Sequence, residues 1–300
     1  NGAGAVIGST VTSDSGAYSV TVANPNAAVR VRVRAESVRS GGSGGAWDVR
    51  VLDNTNGNAQ YVLDSAAFTP AATETRDLRA ASGWGGSSYT SARSAAPFAV
   101  LDVALTATQK VLGVSPNQTF PPLRMHWSAN NLPAGGETEE DYAQGQIGTS
   151  FYIFDSTNGH RLFLLGAANA DTDEYDSHVV AHEWGHYFQE ALSRNDSGGG
   201  SHGPDDKLDM RVAFSEGWGN ACAGIALGDP RYADSLDSGQ ARGFILGVSQ
   251  APTSNRGWFS EASVQYVLWQ YADTQAIGFG ALFEVLTGAP LRTSSVLVAI

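Results

Sequence analysis

Read for its alternation of apolar and polar positions, the chain changes character about a third of the way along. Up to residue 66 the period is two. "AYSVTVA" (17–23), "AVRVRVRAES" (28–37), "AWDVRVLD" (46–53) and "AQYVLDS" (59–65) each put their apolar side chains on one face of a half-buried strand. "NTNGN" (54–58) joins the last two as a hairpin turn. Short strands punctuated by turns predict a small all-β sandwich over 1–66. Residues 67–96 read as a linker, because "ASGWGGSSYTSARSAAP" (81–97) has no hydrophobic period. From Phe98 the rhythm becomes helical in "FAVLDVALTATQKVLG", with Gly113 at the C′ position. Strands follow at "LRMHWS", "TSFYIFD" and "RLFLLGA", and then helices at about 173–193, 207–227, 261–273 and 280–286. Strands succeeded by helices predict an α+β domain over 97–300. The final "TSSVLVAI" reads as a truncated helix, so a longer protein is expected.

Composition narrows the range of functions. A net charge of -12 makes the chain a poor ligand for nucleic-acid phosphates, and no basic run suits an anionic membrane. No apolar run reaches transmembrane length. One cysteine, Cys222, excludes an intrachain disulfide. Little lysine, 35 glycines and much Ser, Thr, Asn and Asp lean towards a secreted or cell-surface bacterial protein. No signal peptide heads the sequence, as in a mature or trimmed form. A monomer is expected.

The chemistry concentrates in "DSHVVAHEWGHYF" (176–188). Three of the six histidines stand there, His178, His182 and His186, and Glu183 follows the middle one. Val179, Val180, Trp184, Tyr187, Phe188 and Leu192 keep helical spacing. Asp171 and Thr172 are capping types, with Glu174 three residues after Asp171. On a helix His182 and His186 share a face, with Cβ atoms about 6 Å apart, so both imidazoles can reach one ion. Glu183 is rotated about 100° away and need not bind it. This is the H-E-x-x-H arrangement: two zinc ligands and a general base for water. His178 is a further ligand, a group supporting one, or a packing residue; the length of the helix keeps it out of the first shell.

A catalytic zinc takes a third protein ligand and leaves one position open. Gln189 and Leu192 stand where the H-E-x-x-H-x-x-G-x-x-H pattern would have glycine and histidine, which excludes that class. "RVAFSEGWGNACAG" (211–224) offers Glu216, flanked by Phe214 and Trp218 on an apolar helix where an unpaired carboxylate is costly. Asn220, one turn on, can orient a ligand. His202, in the glycine-rich "SGGGSHGPDD", is the rival third ligand.

"HEWGH" followed by "SEGWGN" resembles the gluzincin metallopeptidases, the thermolysin and fungalysin class, over roughly 98–273. The resemblance implies a zincin-like domain with Zn²⁺ on His182, His186 and Glu216, and with Glu183 as base. It departs from that pattern in the longer His186–Glu216 separation and in Asn220, where thermolysin-like enzymes carry aspartate. "TVTSDSGAYSVTV" (10–22) resembles the carboxypeptidase regulatory-like domain, an immunoglobulin-like module. The gluzincin resemblance further implies an oxyanion donor from the later helices, for which Tyr266 and Tyr271 are the candidates, and a strand lying along the cleft. "RLFLLGA" could be that strand or a central one. Glu261 could recognise a substrate amine or simply start its helix.

Asp171, Asp173, Glu174 and Asp176 crowd the start of the histidine helix. They suit its dipole, and their hard oxygens could also hold Ca²⁺. The expected activity is hydrolysis of peptide bonds in a peptide or protein substrate. The alternative is an extracellular binding or adhesion protein whose metal site is inactive or structural.

Overall fold

In the computed structural model, which describes residues 4–23, 27–41 and 44–288, helices and several sheets form a mixed α+β architecture. The chain divides into a small unit, Asn1–Arg34 with Val62–Ala80, and a large one, Ala35–Tyr61 with Ala81–Ile300. In the small unit β1 (Arg32–Arg34) pairs antiparallel with a later strand, Val62–Asp64, and Arg32 is held to Asp64 at 2.7 Å. The segment 17–23, expected as a strand, forms none. Val6 and Val11 are 74% and 82% exposed. With so little apolar surface covered, the described residues of 1–66 make no immunoglobulin-like sandwich.

The large unit claims the rest of that expected module. Its main sheet takes β2 (Glu36–Arg39), β3 (Trp47–Asp53) and β4 (Ala59–Gln60). The strand Val62–Asp64 already described is β5. After α1 (Ala96–Leu112), β6 (Leu123–Trp127), α2 (Glu139–Ala143), β7 (Phe151–Asp155) and β8 (Gly159–Leu164), the order is β2-β3-β6-β8-β7, with β4 on β3. β3, β6 and β8 run parallel, with Val51 opposite Met125 and Met125 opposite Leu162; β2 and β7 are antiparallel edges. Parallel strands are covered on both faces, and Val49, Val51, Leu123, Met125, Leu162 and Leu164 are all buried with Val100, Ala104 and Ala107 of α1. The boundary expected at residue 66 is therefore displaced. Alternation identified "AWDVRVLD" as a strand but carried no information about which sheet it joins. The β3–β4 hairpin does form across 54–58, with Gly57 in the left-handed region at φ 60°.

The linker expected over 67–96 is irregular in backbone, yet Arg93 within it is buried. Its guanidinium pairs with Glu174 and donates to the carbonyl of Gly166, and Trp127 Nε1 donates to Glu174 at 3.1 Å. Glu174 thus serves this buried network.

Short β9 (Gly166–Ala167) and β10 (Asp171–Thr172) lead into α3 (Ser177–Leu192), then α4 (Met210–Leu227), β11 (Arg231–Leu236), β12 (Arg242–Gly247), α5 (Glu261–Asp273) and α6 (Gly278–Thr287). α3 starts later than expected, because Asp171 and Thr172 are strand and Asp173–Tyr175 a 3₁₀ turn; the expected cap at Asp171 is not made. The β11–β12 hairpin, in a four-stranded sheet of order β12-β11-β10-β9, was not expected in a region read as helical. α4 stops at Gly228, left-handed at φ 67°, and frees the chain to extend. No helix among the described residues is long and apolar enough to cross a membrane. "TSSVLVAI" lies outside the described residues.

Candidate metal centre

α3 and α4 approach closely because small residues face each other. A Cβ on Gly185 would come 3.2 Å from Gly219 Cα and 3.1 Å from Cys222 Cβ. Trp218 Nε1 locks the pair by donating to the Gly185 carbonyl at 2.9 Å. Cys222 is sealed in this seam, and burial pushes its thiol far above its ordinary value. The close approach sets the His182 ring directly against the α4 backbone at Gly219.

His182, His186 and Glu216 bring their donor atoms together. Nε2 of His182 lies 3.0 Å from Nε2 of His186 and 3.2 Å from Glu216 Oε2, and His186 Nε2 lies 3.4 Å from the same oxygen. Hydrogen bonds behind the rings fix which nitrogen carries the proton. Asn220 Nδ2 donates to Gln265 Oε1 at 2.9 Å, so its Oδ1, 2.9 Å from His182 Nδ1, faces that ring as an acceptor. Ser215 donates its hydroxyl hydrogen to Gln189 Oε1 at 2.8 Å, so its Oγ accepts from His186 Nδ1 at 3.2 Å. Both Nδ1 atoms are donors, and both Nε2 atoms are left with lone pairs aimed at each other and at a carboxylate oxygen. Three acceptors facing one another call for a cation.

The donor set and its spacing suit zinc. Zn–N and Zn–O bonds of about 2.0–2.1 Å put tetrahedral ligands roughly 3.3–3.4 Å apart, close to the separations found. Burial raises the Glu216 carboxyl, but the adjacent His182 and His186 imidazoles lower it by more and leave it well below the usual carboxylate range. Glu183 is buried beside the cluster and does not join it. Burial pushes it up to about 7, the neighbouring Glu216 charge acts in the same direction, and His182 and the Tyr152 backbone amide oppose.

The other expected residues fall into place or away from it. His178 Nε2 meets the Asp229 carbonyl at 3.0 Å and its ring packs on Tyr232, so it ties α3 to the chain after α4. His202 is outside the group whose ligand atoms lie within 4.8 Å of one another. Its Nε2 is 3.2 Å from Glu216 Oε2 and its Nδ1 2.8 Å from Glu261 Oε2. The Glu261 hydrogen bond is the main cause of its raised pKa. Glu261, at the start of α5, is thus the partner of His202. Glu261 and Gln265 are the α5 side chains that reach the site. Tyr266 is half-buried and Tyr271 is 38% exposed, and no hydrogen bond or ring contact joins either to the cluster. "RLFLLGA" supplies β8, a central strand with both edges paired; the sheet edge beside it is β7, and the far edge is β2.

Sequence reasoning found Asn220 but missed Ser215, Gln189 and Gln265, polar residues whose only signal was burial on otherwise apolar helix faces. It also missed Tyr232, which stacks on Phe244 and sets its ring against His182.

A second group of donors is formed by Asp171, Asp173 and Asp234, each with a ligand atom within 4.8 Å of the others. Burial foremost pushes Asp171 up to about 6 and Asp234 to about 7, and holds Asp173 well above the ordinary value. Glu174 and Asp176, expected in the same group, are engaged elsewhere: Glu174 with Arg93, and Asp176 with the amide and hydroxyl of Ser235 at 3.0 and 2.7 Å.

Among known proteins, no family model matches the chain and no curated protein matches it significantly.

Proposed function

We propose that the chain is a zinc-dependent peptidase of the gluzincin type, secreted or at the cell surface, with its catalytic residues in a zincin-like domain. The observation that carries this reading is the pair of imidazoles whose Nδ1 atoms are both committed as donors, so that both Nε2 lone pairs converge with Glu216. His182, His186 and Glu216 would hold the ion. Bound there, zinc would polarise the scissile carbonyl and acidify a water.

Glu183 accepts the proton of the attacking water and delivers it to the leaving amine. A buried carboxyl that stands beside the ligands, and is not one of them, can do both. A structural metal site would give no role to a buried carboxylate beside its ligands, which favours the peptidase over an adhesion protein. The open edge of β7 is suited to holding a substrate strand by backbone hydrogen bonds. The Tyr152 amide on that strand acts on Glu183, so the edge lies beside the base. His202, supported by Glu261, takes the place of Tyr266 and Tyr271 as donor to the developing oxyanion.

The test is Glu183→Gln. The variant should keep its zinc and lose hydrolysis of an unstructured protein by about 10²–10⁴-fold. Retention of wild-type turnover at full zinc content would refute the mechanism.

A further inference from the structure

The carboxylates of Asp171, Asp173 and Asp234 come from two different parts of the chain. Asp171 is on β10, Asp173 opens the turn before α3, and Asp234 is on β11, beyond α4. Asp173 is 2% exposed. Its Oδ2 accepts from Ser150 Oγ, while its Oδ1 is sealed from solvent with no partner. Asp171 Oδ1 and Asp234 Oδ1 are likewise buried and unpartnered. Leaving a buried carboxylate oxygen unpaired is costly, and each of these three clustered aspartates carries one. Asp176 satisfies itself on Ser235, and Asp237 pairs with Arg242, so neither neighbour relieves the group.

We infer that Asp171, Asp173 and Asp234 form a binding site for one Ca²⁺ ion, distinct from the histidine centre. An all-oxygen donor set selects a hard cation over zinc. Ca–O bonds of about 2.3–2.6 Å span up to roughly 5 Å across the shell, a width that admits donor atoms within 4.8 Å of one another. Three carboxylates, together with water, can supply the six to eight oxygens such an ion takes.

The ion would fasten β11 to the segment that starts α3. β11 carries Tyr232, whose ring packs against His178 and His182. The site would therefore brace the motif helix where it carries His178 and His182, by holding one hairpin in place. The inference does not depend on the histidine cluster binding zinc.

The test uses the purified chain, freed of calcium by dialysis and kept in zinc throughout, and titrated with CaCl₂ and separately with MgCl₂. Elemental analysis and melting temperature are the readouts. One calcium per chain and a saturable rise in melting temperature are expected, with magnesium at least tenfold less effective. Asp234→Asn should abolish the calcium response. In calcium-free buffer it should melt no lower than wild type, because removing one of three crowded charges relieves repulsion, an outcome a merely structural aspartate would not give. Asp171→Asn serves if Asp234→Asn does not fold. Absence of saturable calcium binding, or binding unchanged in the asparagine variant, overturns the site. So does a calcium response lost in Glu216→Ala but kept in Asp234→Asn, which would place the ion at the histidines.

Discussion

Gly219→Ala tests the α3–α4 seam on which the metal centre depends. An alanine Cβ there would lie 2.7 Å from His182 Cε1 and 2.8 Å from both ring nitrogens. Non-bonded heavy atoms rest at about 3.5–4.0 Å, so the overlap approaches an ångström. The ring cannot turn aside freely: Nδ1 is held by Asn220 at 2.9 Å, and Tyr232 stands edge-on at 5.9 Å between centroids. The helices cannot part freely either, since Gly185 already sits against Gly219 and Cys222. Alanine in a helix interior gains about 1 kcal/mol over glycine, and overpacking costs about 1–3 kcal/mol. The net effect should be a loss of up to about 2 kcal/mol, or a melting point lower by as much as about 4–8 °C. Displacing the imidazole should also weaken zinc at least about tenfold, the scale of losses when a ligand is disoriented. Thermal melts and competition with a chromophoric chelator read the two effects. If Gly219→Ala binds zinc like wild type and is about 1 kcal/mol more stable, His182 does not lie against α4 and the centre is misdescribed.

Two other outcomes can be measured on the same protein. The raised carboxyls of Asp171 and Asp234, near 6 and 7 against about 3.9 unfolded, bind protons in the folded state that the unfolded chain has released. Their contribution to calcium-free stability should therefore be fully present below about pH 4 and be lost as pH rises to about 7, by less than about 1.4 kcal/mol per unit for each group once solvent screening is allowed for. Asp234→Asn should flatten that slope, and melts showing equal slopes would contradict it. A truncated chain beginning at Ala95 lacks β3, whose Val49 and Val51 are buried and whose backbone pairs with β6; it should show no cooperative unfolding, and a sharp melt would mean the sheet stands without it.

The sequence made the site more legible than the fold. Helical spacing in "DSHVVAHEWGHYF" pointed to His182, His186 and Glu183, while a costly carboxylate among Phe214 and Trp218, with the family resemblance, favoured Glu216 over its rival His202. Residues that act from behind them were invisible for a physical reason. Ser215, Gln189 and Gln265 matter through which atom faces which ring, and this depends on how α3, α4 and α5 pack. Asp171 and Glu174 show the limit of local rules. Both look like the opening of a capped helix, but Asp171 is drawn into a strand opposite Ala167 and Leu236, and Glu174 is held by Arg93. Period-two patterning recognised "AWDVRVLD" and "AQYVLDS" as strands, yet alternation says nothing of neighbours. The unit boundary consequently fell in the wrong place, and the β11–β12 hairpin, announced only by Gly228 and the short "RYADSL", was passed over.

Elemental analysis with zinc titration decides whether His182, His186 and Glu216 hold one zinc ion. Wild type should carry one zinc per chain. Glu216→Ala should lose it and melt lower, since metal bound to the native state adds to folding stability. His202→Ala should keep it, because His202 lies outside the convergent group. Zinc retained by Glu216→Ala and lost by His202→Ala would move the third ligand to the glycine-rich loop, and a wild-type chain that binds no zinc at all would contradict the account outright.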